Sequence, residues 1–513
     1  MLIISLFILL IYSSVLNTSE SLLTNNRNII KIGLLVLLYS LYIIIDNIGY
    51  YDHNILIFND LYILNTYNIY FIILIFIIAM SLITINIINM SSTNENNFNS
   101  IEGNSNLLNK LSIYKNYLYL NNFNRYYVTI IIFNLLGIIL FMTSNNIISI
   151  FIGIELQSYS LYILTGIPSK SNTSAHNSLF YYLIGGFGSI IILYGISLLY
   201  YTSGNIYLNN INILLDYISF RNPLLIGYLF IIFGLLIKIG AGPMYNWSIL
   251  LYMNSNTIVT SYISIIPKLS ILTYIWYLYH QLNISAYDIN NSIDNKIILI
   301  LSLIITISLI IGSISGLSQI KIKSILAYSG LLNIGYLVLS ILINNINSLT
   351  AYIIYITQYS IGHVSMFLLL IIAAIYNNNH LIYTYEIKSI YKNSFLVASL
   401  LIIIGSFIGI PPLFGFYGKY YLLISSINSN YLFLSLLLIV SSIIATLYYL
   451  YIINSVINDK NKDIINTSDG YNYILSIGNT LSYVFSSFVM ILLFNFIQWN
   501  NILKGAYIIA TYI

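Results

Sequence analysis

Four ionisable side chains stand inside long apolar runs: Glu155, Lys238, Lys268 and Lys419. A charge at the centre of a bilayer costs at least about 2.5–3.5 kcal/mol on insertion scales, so four of them are not decoration. The chemistry they allow is proton transfer. Removal from water disfavours the charged form of acid and amine alike, and an opposite charge nearby restores it. A buried glutamate and lysine that approach and separate would therefore act as a proton switch. Lysine suits the role because it can shed its charge, whereas arginine keeps it. Tyr328, Ser329 and His363 are polar groups able to pass a proton between such lysines. Each residue also has a plainer reading. Lys238 is the hardest to explain away, with apolar residues on both sides, and Glu155 is the only acid well inside a span. Lys268 and Lys419 would also fit as stems snorkelling to an interface, and His363 as a hydrogen-bonded packing residue. Asp46 reads as interfacial, and His53, His176, His280 and His380 as loop-bound or terminal.

Composition says what must hold these groups. Of 513 residues, 59% are hydrophobic and only 6% charged, with a mean hydropathy of +0.88. A soluble domain carries about 25% charged residues, so lipid must cover most of this surface. Length then reads as many spans of roughly 20 residues rather than several soluble domains. Cysteine is absent, which excludes disulfides, thiolate zinc sites, iron–sulfur clusters and cysteine nucleophiles in the chain itself. The net charge of +4 follows from loop topology and gives no reason to invoke nucleic acid. Tyrosine alone supplies 51 residues; with abundant Ile, Asn and Leu this is a compositional hint of an AT-rich organelle genome.

Hydropathy predicts an all-α, polytopic membrane protein of about fourteen helices. They fall near 2–16, 30–50, 68–90, 127–142, 146–167, 178–201, 223–252, 257–281, 296–317, 324–343, 349–376, 395–425, 431–457 and 473–498, with a polar loop over Ser91 to Arg125. The run Leu2 to Leu16 has neither a positive flank nor a small-residue cleavage site and reads as a first span. Sorting Lys and Arg by side puts Arg27, Lys31, Lys110, Lys115, Arg125, Lys170, Lys321, Lys323, Lys388, Lys392, Lys460 and Lys462 together, against Arg221, Lys296 and Lys504. By the positive-inside rule both termini lie on the outer side.

Two spans are interrupted, by Gly240-Ala-Gly-Pro243 in the seventh and Gly409-Ile-Pro-Pro412 in the twelfth. Proline removes a backbone donor, and a broken helix survives in lipid only where protein or a wet cavity satisfies the freed groups. The breaks lie five spans apart, as two inverted five-helix repeats would place them; two unrelated kinks are the other reading. The chain divides accordingly into 1–126 (three helices and the polar loop), 127–281 (first repeat), 296–457 (second repeat) and 458–513 (C-terminal helix). Gly185-Gly-Phe-Gly188 is no nucleotide loop, since it opens no βαβ unit, and Gly312 with Gly316 reads as close helix packing.

The stretches Phe133-Asn-Leu-Leu-Gly137, Gly153-Ile-Glu-Leu-Gln-Ser-Tyr-Ser-Leu-Tyr162, Lys238-Ile-Gly-Ala-Gly-Pro243, Lys323-Ser-Ile-Leu-Ala-Tyr-Ser329 and Gly409-Ile-Pro-Pro-Leu-Phe-Gly-Phe-Tyr-Gly-Lys419 together resemble the antiporter-like membrane subunits of respiratory complex I, the proton-translocating NADH:ubiquinone oxidoreductase. The Glu-Leu-Gln-Ser run and the terminal Lys419 favour the subunit 2 branch. The chain keeps Trp247 but lacks the acid and proline that the family carries after the seventh-span break. The resemblance implies that Glu155 and Lys238 form a coupling ion pair, that Lys268 is the central relay, and that Lys323 and Lys419 take inner-side and outlet-side positions; His363 is not assigned by it. It implies fourteen helices in two inverted repeats and no cofactor in this chain, with FMN, iron–sulfur clusters and ubiquinone sites in partner subunits. It also implies sister antiporter-like chains, accessory subunits and phospholipids as partners, and the mitochondrial inner membrane as the location. A free-standing cation/proton antiporter and a non-pumping scaffold are the competing functions.

Overall fold

The computed structural model describes residues 2–15, 22–49, 55–91, 126–167, 172–215, 217–282, 292–377, 381–457 and 479–511. Eighteen α-helices occupy most of them: α1 (Leu2–Val15), α2 (Leu22–Asp46), α3 (Thr66–Ser91), α4 (Tyr127–Met142), α5 (Ile147–Thr165), α6 (Asn172–Ser203), α7 (Leu208–Leu214), α8 (Ile218–Ile239), α9 (Asn246–Asn254), α10 (Thr257–Gln281), α11 (Ser292–Leu317), α12 (Ile322–Ile343), α13 (Ile346–Asn377), α14 (Ser394–Ile408), α15 (Phe414–Asn428), α16 (Leu432–Ile457), α17 (Asn479–Phe494) and α18 (Trp499–Thr511). A helix is the form in which a single apolar segment satisfies its own backbone, which is why runs with no strong amphipathic pattern still fold this way in lipid.

Among the described residues ten helices are long and apolar enough to cross a membrane, and α17 with α18 forms a pair bent by 93°. Leu2–Ser14, Tyr127–Met142 and Ser394–Ile408 are apolar but shorter. The expected fourteen crossings are reached only if these three count too. Both expected interruptions are present: α8 gives way to α9 and α14 to α15. Each first half ends on a left-handed glycine, Gly240 at φ 79° and Gly409 at φ 90°, a conformation that a Cβ would oppose.

Several elements have no counterpart in the sequence reading. A two-stranded hairpin, β1 (Ile55–Ile57) and β2 (Tyr62–Leu64), stands between α2 and α3. It is fastened where Ile63 N–H donates to Thr143 O (2.7 Å) and Asn145 N–H to Leu61 O (2.9 Å). The short α7 joins the same end through Leu208 N–H on Asn145 O, and a 3₁₀ helix spans Thr384–Lys392 at the opposite end. Three-residue strands and a seven-residue helix are too short to leave a periodic signal. Lys321, Lys323 and Lys388 gather at the 3₁₀ end, where Lys321 bridges Tyr383, while Arg221 opens α8 just after α7. Lys110, Lys115, Arg125, Lys170, Lys460 and Lys462, His53 and His380, and the polar loop from residue 92 lie outside the described residues.

Burial orders the helices. The spans of α10, α12 and α13 are 100%, 94% and 89% buried, against 33% for α6 and α16. An apolar helix covered on all sides is a central one, so α10, α12 and α13 form the axis and the rest a jacket facing lipid. Glycines set the closest approaches within it. Gly137 of α4 abuts the Gln157 backbone of α5, and Gly153 abuts the Phe141 backbone in return; Gly312 of α11 meets Leu332 of α12, and Gly335 meets Ser308 and Leu309. Helices α6 and α8 close through Gly188, Gly195, Gly227 and Gly234. Within the Gly185-Gly186-Phe187-Gly188 run, Gly185 and Gly188 are packing surface, as are Gly312 and Gly316.

A Cβ on Gly195 would lie 2.7 Å from Gly227 O, whereas one on Gly186 would meet nothing within 4 Å. Gly195→Ala is expected to push α6 from α8 at a cost of about 1–3 kcal/mol, read as a lower melting temperature in mild detergent. Gly186→Ala should melt like the parent protein.

Candidate proton-transfer line

The broken helices bring two of the lysines to the negative ends of half-helices. Lys238 sits in the last turn of α8, and its Nζ donates to Glu155 Oε1 of α5 at 2.7 Å. Gly188 allows the lysine stem past α6, since a Cβ there would lie 3.2 Å from Lys238 Cγ. Glu155 Oε2 accepts in turn from Ser158 Oγ at 3.4 Å. The freed carbonyl of Ile237 takes the Trp247 indole N–H from α9 at 3.2 Å, which accounts for the tryptophan retained after the break. At the second break Lys419 of α15 turns back onto α14, donating to Phe407 O (2.7 Å) and Ile408 O (3.1 Å). A cation at a helix C-terminus is favoured by the aligned peptide dipoles.

Lys268 is different. It is only 6% exposed in the middle of α10, and its nearest compensation is the face of the Tyr252 ring, 5.2 Å from Nζ. Among the described residues no acceptor takes a hydrogen bond from it. The snorkelling reading fails for this residue, because α10 is covered along its whole span. A small cavity beside Lys238 is lined by Gln157, Ser158, Tyr162, Trp247 and Pro267, the residue preceding Lys268, among mostly apolar neighbours. On the other flank, Lys268 Nζ and Tyr359 OH lie 3.4 and 3.9 Å from the point where a Cβ on Gly330 would stand.

His363 on α13 is 1% exposed, its ring centroid 4.5 Å from Tyr359 and 5.1 Å from Phe407. Lys268 lies near enough to act on it electrostatically. Its Nε2 lies 3.3 Å from Asn333 Nδ2, and Asn333 Oδ1 accepts from Tyr355 OH at 2.6 Å. Tyr355 packs edge-on to Tyr336 at 5.7 Å, and Lys419 Nζ lies over the Tyr336 ring at 5.9 Å. Polar contacts thus join Glu155 to Lys238 and His363 to Asn333 and Tyr355, while Lys268 and Lys419 each lie over a tyrosine ring. Lys323 stands apart at the start of α12, donating to Ser255 O at 2.6 Å. Of the polar groups expected between lysines, Tyr328 is half-buried beside Tyr245 and Ser329 is buried with its hydroxyl on Leu326 O.

The sequence reading passed over Asn333, Tyr355 and Tyr359, and used Gln157 only as part of the Glu-Leu-Gln-Ser run. Gln157 donates to Ser270 Oγ at 2.9 Å, and Asn134 ties α4 to α5 through Gln157 O (2.8 Å) and Ser160 Oγ (2.7 Å). Lone amides inside apolar spans are the signal that would have found Asn134, Gln157 and Asn333, because an unpartnered amide in hydrocarbon is costly. The tyrosines carry no such signal in a chain with 51 of them.

Comparison with known proteins places the chain in a family. Residues 144–445 match the family of NADH:quinone oxidoreductase/Mrp antiporter transmembrane domains. The chain is similar to NADH-ubiquinone oxidoreductase chain 2 of Wickerhamomyces canadensis, at 56% identity over 99% of both chains. It is also similar to NADH-quinone oxidoreductase subunit N of Pelagibacter ubique, at 32% identity over 66% of this chain and 70% of the relative. Among solved structures, a chain of respiratory complex I from Thermus thermophilus superposes with a TM-score of 0.69 at 18% identity, covering 98% of each. A chain of the archaeal membrane-bound sulfane sulfur reductase gives 0.78 at 16%, covering 99% of this chain and 96% of that one. These two likenesses concern the fold alone.

Gly330→Ala tests the line where it is narrowest. Its methyl fits at ordinary contact distance, 3.4 Å from Lys268 Nζ, and alanine is the better helix former. The variant should accumulate normally yet move protons several-fold more slowly, because an apolar group then separates the ammonium from Tyr359. An unchanged rate would remove this segment from the line.

Proposed function

From the premise that this chain belongs to the NADH:quinone oxidoreductase/Mrp antiporter family, with chain 2 of NADH-ubiquinone oxidoreductase as its 56% identical relative, we propose that Glu155, Lys238, Lys268, His363 and Lys419 pass protons across the membrane in that order. The chain is a core membrane subunit of the proton-translocating NADH:ubiquinone oxidoreductase and works beside sister antiporter-like subunits. The observation that carries the proposal is the buried Lys238–Glu155 pair at 2.7 Å, set at one end of a line of polar groups that runs through the most enclosed helices.

The physics of the step is electrostatic. While Glu155 holds its charge beside Lys238, the ammonium is compensated. When quinone reduction elsewhere in the assembly shifts or neutralises that carboxylate, Lys238 is left as an uncompensated cation in a medium of low dielectric and gives up its proton. Lys268 receives it through the cavity beside Pro267. A second cation there repels charge onward past His363 toward Lys419, where the two carbonyls of α14 hold the proton until release. Lys323, on a carbonyl at the 3₁₀ end, is the supply residue on the inner side. Flavin, iron–sulfur clusters and quinone belong to partner subunits; this chain brings no cysteine.

We assign the chain to the mitochondrial inner membrane with both termini on the intermembrane-space side, and residues 127–281 and 296–457 to two inverted repeats. Support for the repeats comes from the matched glycine caps at Gly240 and Gly409 and from the parallel glycine contacts of α4 with α5 and α11 with α12.

Two experiments check these assignments. In the assembled complex, Lys238→Ala should abolish or sharply reduce NADH-driven proton transfer while NADH still reduces the flavin and clusters of the partner subunits; normal pumping would count decisively against the relay. Because the chain has no cysteine, Tyr507→Cys, exposed on α18, supplies a single label. A membrane-impermeant maleimide should reach it from the outer side only, and labelling from the matrix side alone would invert the topology.

A further inference from the structure

Asn333 is held from both sides. Tyr355 OH donates to its Oδ1 at 2.6 Å, which turns the amide nitrogen toward His363 Nε2 at 3.3 Å. An amide N–H is satisfied there only by a ring nitrogen that carries no proton, so the ring proton sits on Nδ1. His363 Nδ1 is buried and has no hydrogen-bond partner among the described residues. In this arrangement neither nitrogen can take up a proton: Nδ1 already bears one, and Nε2 is covered by a donor. The histidine stands between Lys268 on α10, which acts on it electrostatically, and Lys419 on α15. As arranged, it insulates one from the other.

The amide has a second orientation that needs no shift of neighbouring heavy atoms, only rotation of the Tyr355 hydroxyl hydrogen away from it. After a half-turn about its terminal bond, Oδ1 faces His363 and accepts from an Nε2–H, while Nδ2 donates to the Tyr355 oxygen. A proton arriving at Nε2 is then matched by an acceptor, and its departure lets the amide turn back. Only the Nε2–H bond changes in this cycle: it forms as a proton arrives and breaks as that proton leaves, while Nδ1 keeps its own proton throughout.

We propose that Asn333 is a positioning residue that gates His363, closing the ring to protons in one amide orientation and opening it in the other. This rests on the relay reading above. It follows that Lys268 and Lys419 exchange protons only while the amide is turned, which prevents free backflow between the two halves of the line.

Substitutions at one position separate a gate from a packing role. In inner-membrane vesicles holding the assembled complex, Asn333→Asp offers acceptors only and pins a proton on Nε2. NADH oxidation and proton transfer should fall together, by about a hundredfold, as for loss of a proton-transfer group. Asn333→Leu covers Nε2 with nothing, so protons carried per NADH oxidised should fall more than oxidation itself, a leak. Tyr355→Phe frees Oδ1 without touching the histidine and should leak likewise; it decides the matter if the leucine variant does not assemble. The proposal is overturned if the Asp and Leu variants both match the parent, or if both lose activity only in step with the amount of assembled complex. Lys268→Ala in the same vesicles keeps the two claims apart. If it pumps normally, the relay itself falls; if it stops pumping while the Asn333 variants behave as the parent, the gate alone falls.

Discussion

An ammonium group carried into a low-dielectric interior must find an opposite charge, an aligned dipole or a π face, and the buried lysines of this chain meet that demand in different ways. Lys238 has a carboxylate at 2.7 Å. Lys419 has the last carbonyls of a half-helix, and Lys323 has a single carbonyl at the rim. Lys268 has a tyrosine ring at 5.2 Å, the weakest of the four compensations. The four amines therefore differ in what each one touches.

That arrangement depends on where helices are broken. A continuous helix keeps its carbonyls engaged and has no charge to offer at mid-membrane. The left-handed glycines Gly240 and Gly409 end α8 and α14 early and expose carbonyls inside the protein, where Trp247 and Lys419 meet them. Breaking a helix in lipid is tolerable only with such partners at hand. Glycine also works at a distance from the breaks, since the contacts through Gly188, Gly195, Gly227 and Gly234 let α6 and α8 approach closely enough for Lys238 to reach α5 past them.

The central helices enclose the proposed line in tyrosine. Around Lys268 and His363 lie Tyr252, Tyr336, Tyr355 and Tyr359, all buried. Tyrosine offers one hydroxyl on a rigid apolar body, so a row of them provides hydrogen-bonding points in an enclosed space without opening an aqueous pore. Amide side chains are fewer and more consequential, because each has a donor and an acceptor that must be matched separately.

Much of this was legible before any coordinates. Apolar runs can do little in lipid except form helices, so the spans, the two interruptions and the identity of the buried charges followed from composition and from glycine and proline placement. Glu155 with Lys238, 83 positions apart, could be suspected as partners only through resemblance. The hairpin at Ile55–Leu64, the short α7, the bend between α17 and α18, and the placing of Asn333 between Tyr355 and His363 left no trace in the pattern of residues. The linear chain determined its solvent and its supply of titratable groups, because those depend on transfer free energies that each residue carries with it. Which group faces which was decided by tertiary packing, because distance and direction between side chains on different helices exist only once the helices have been set against one another.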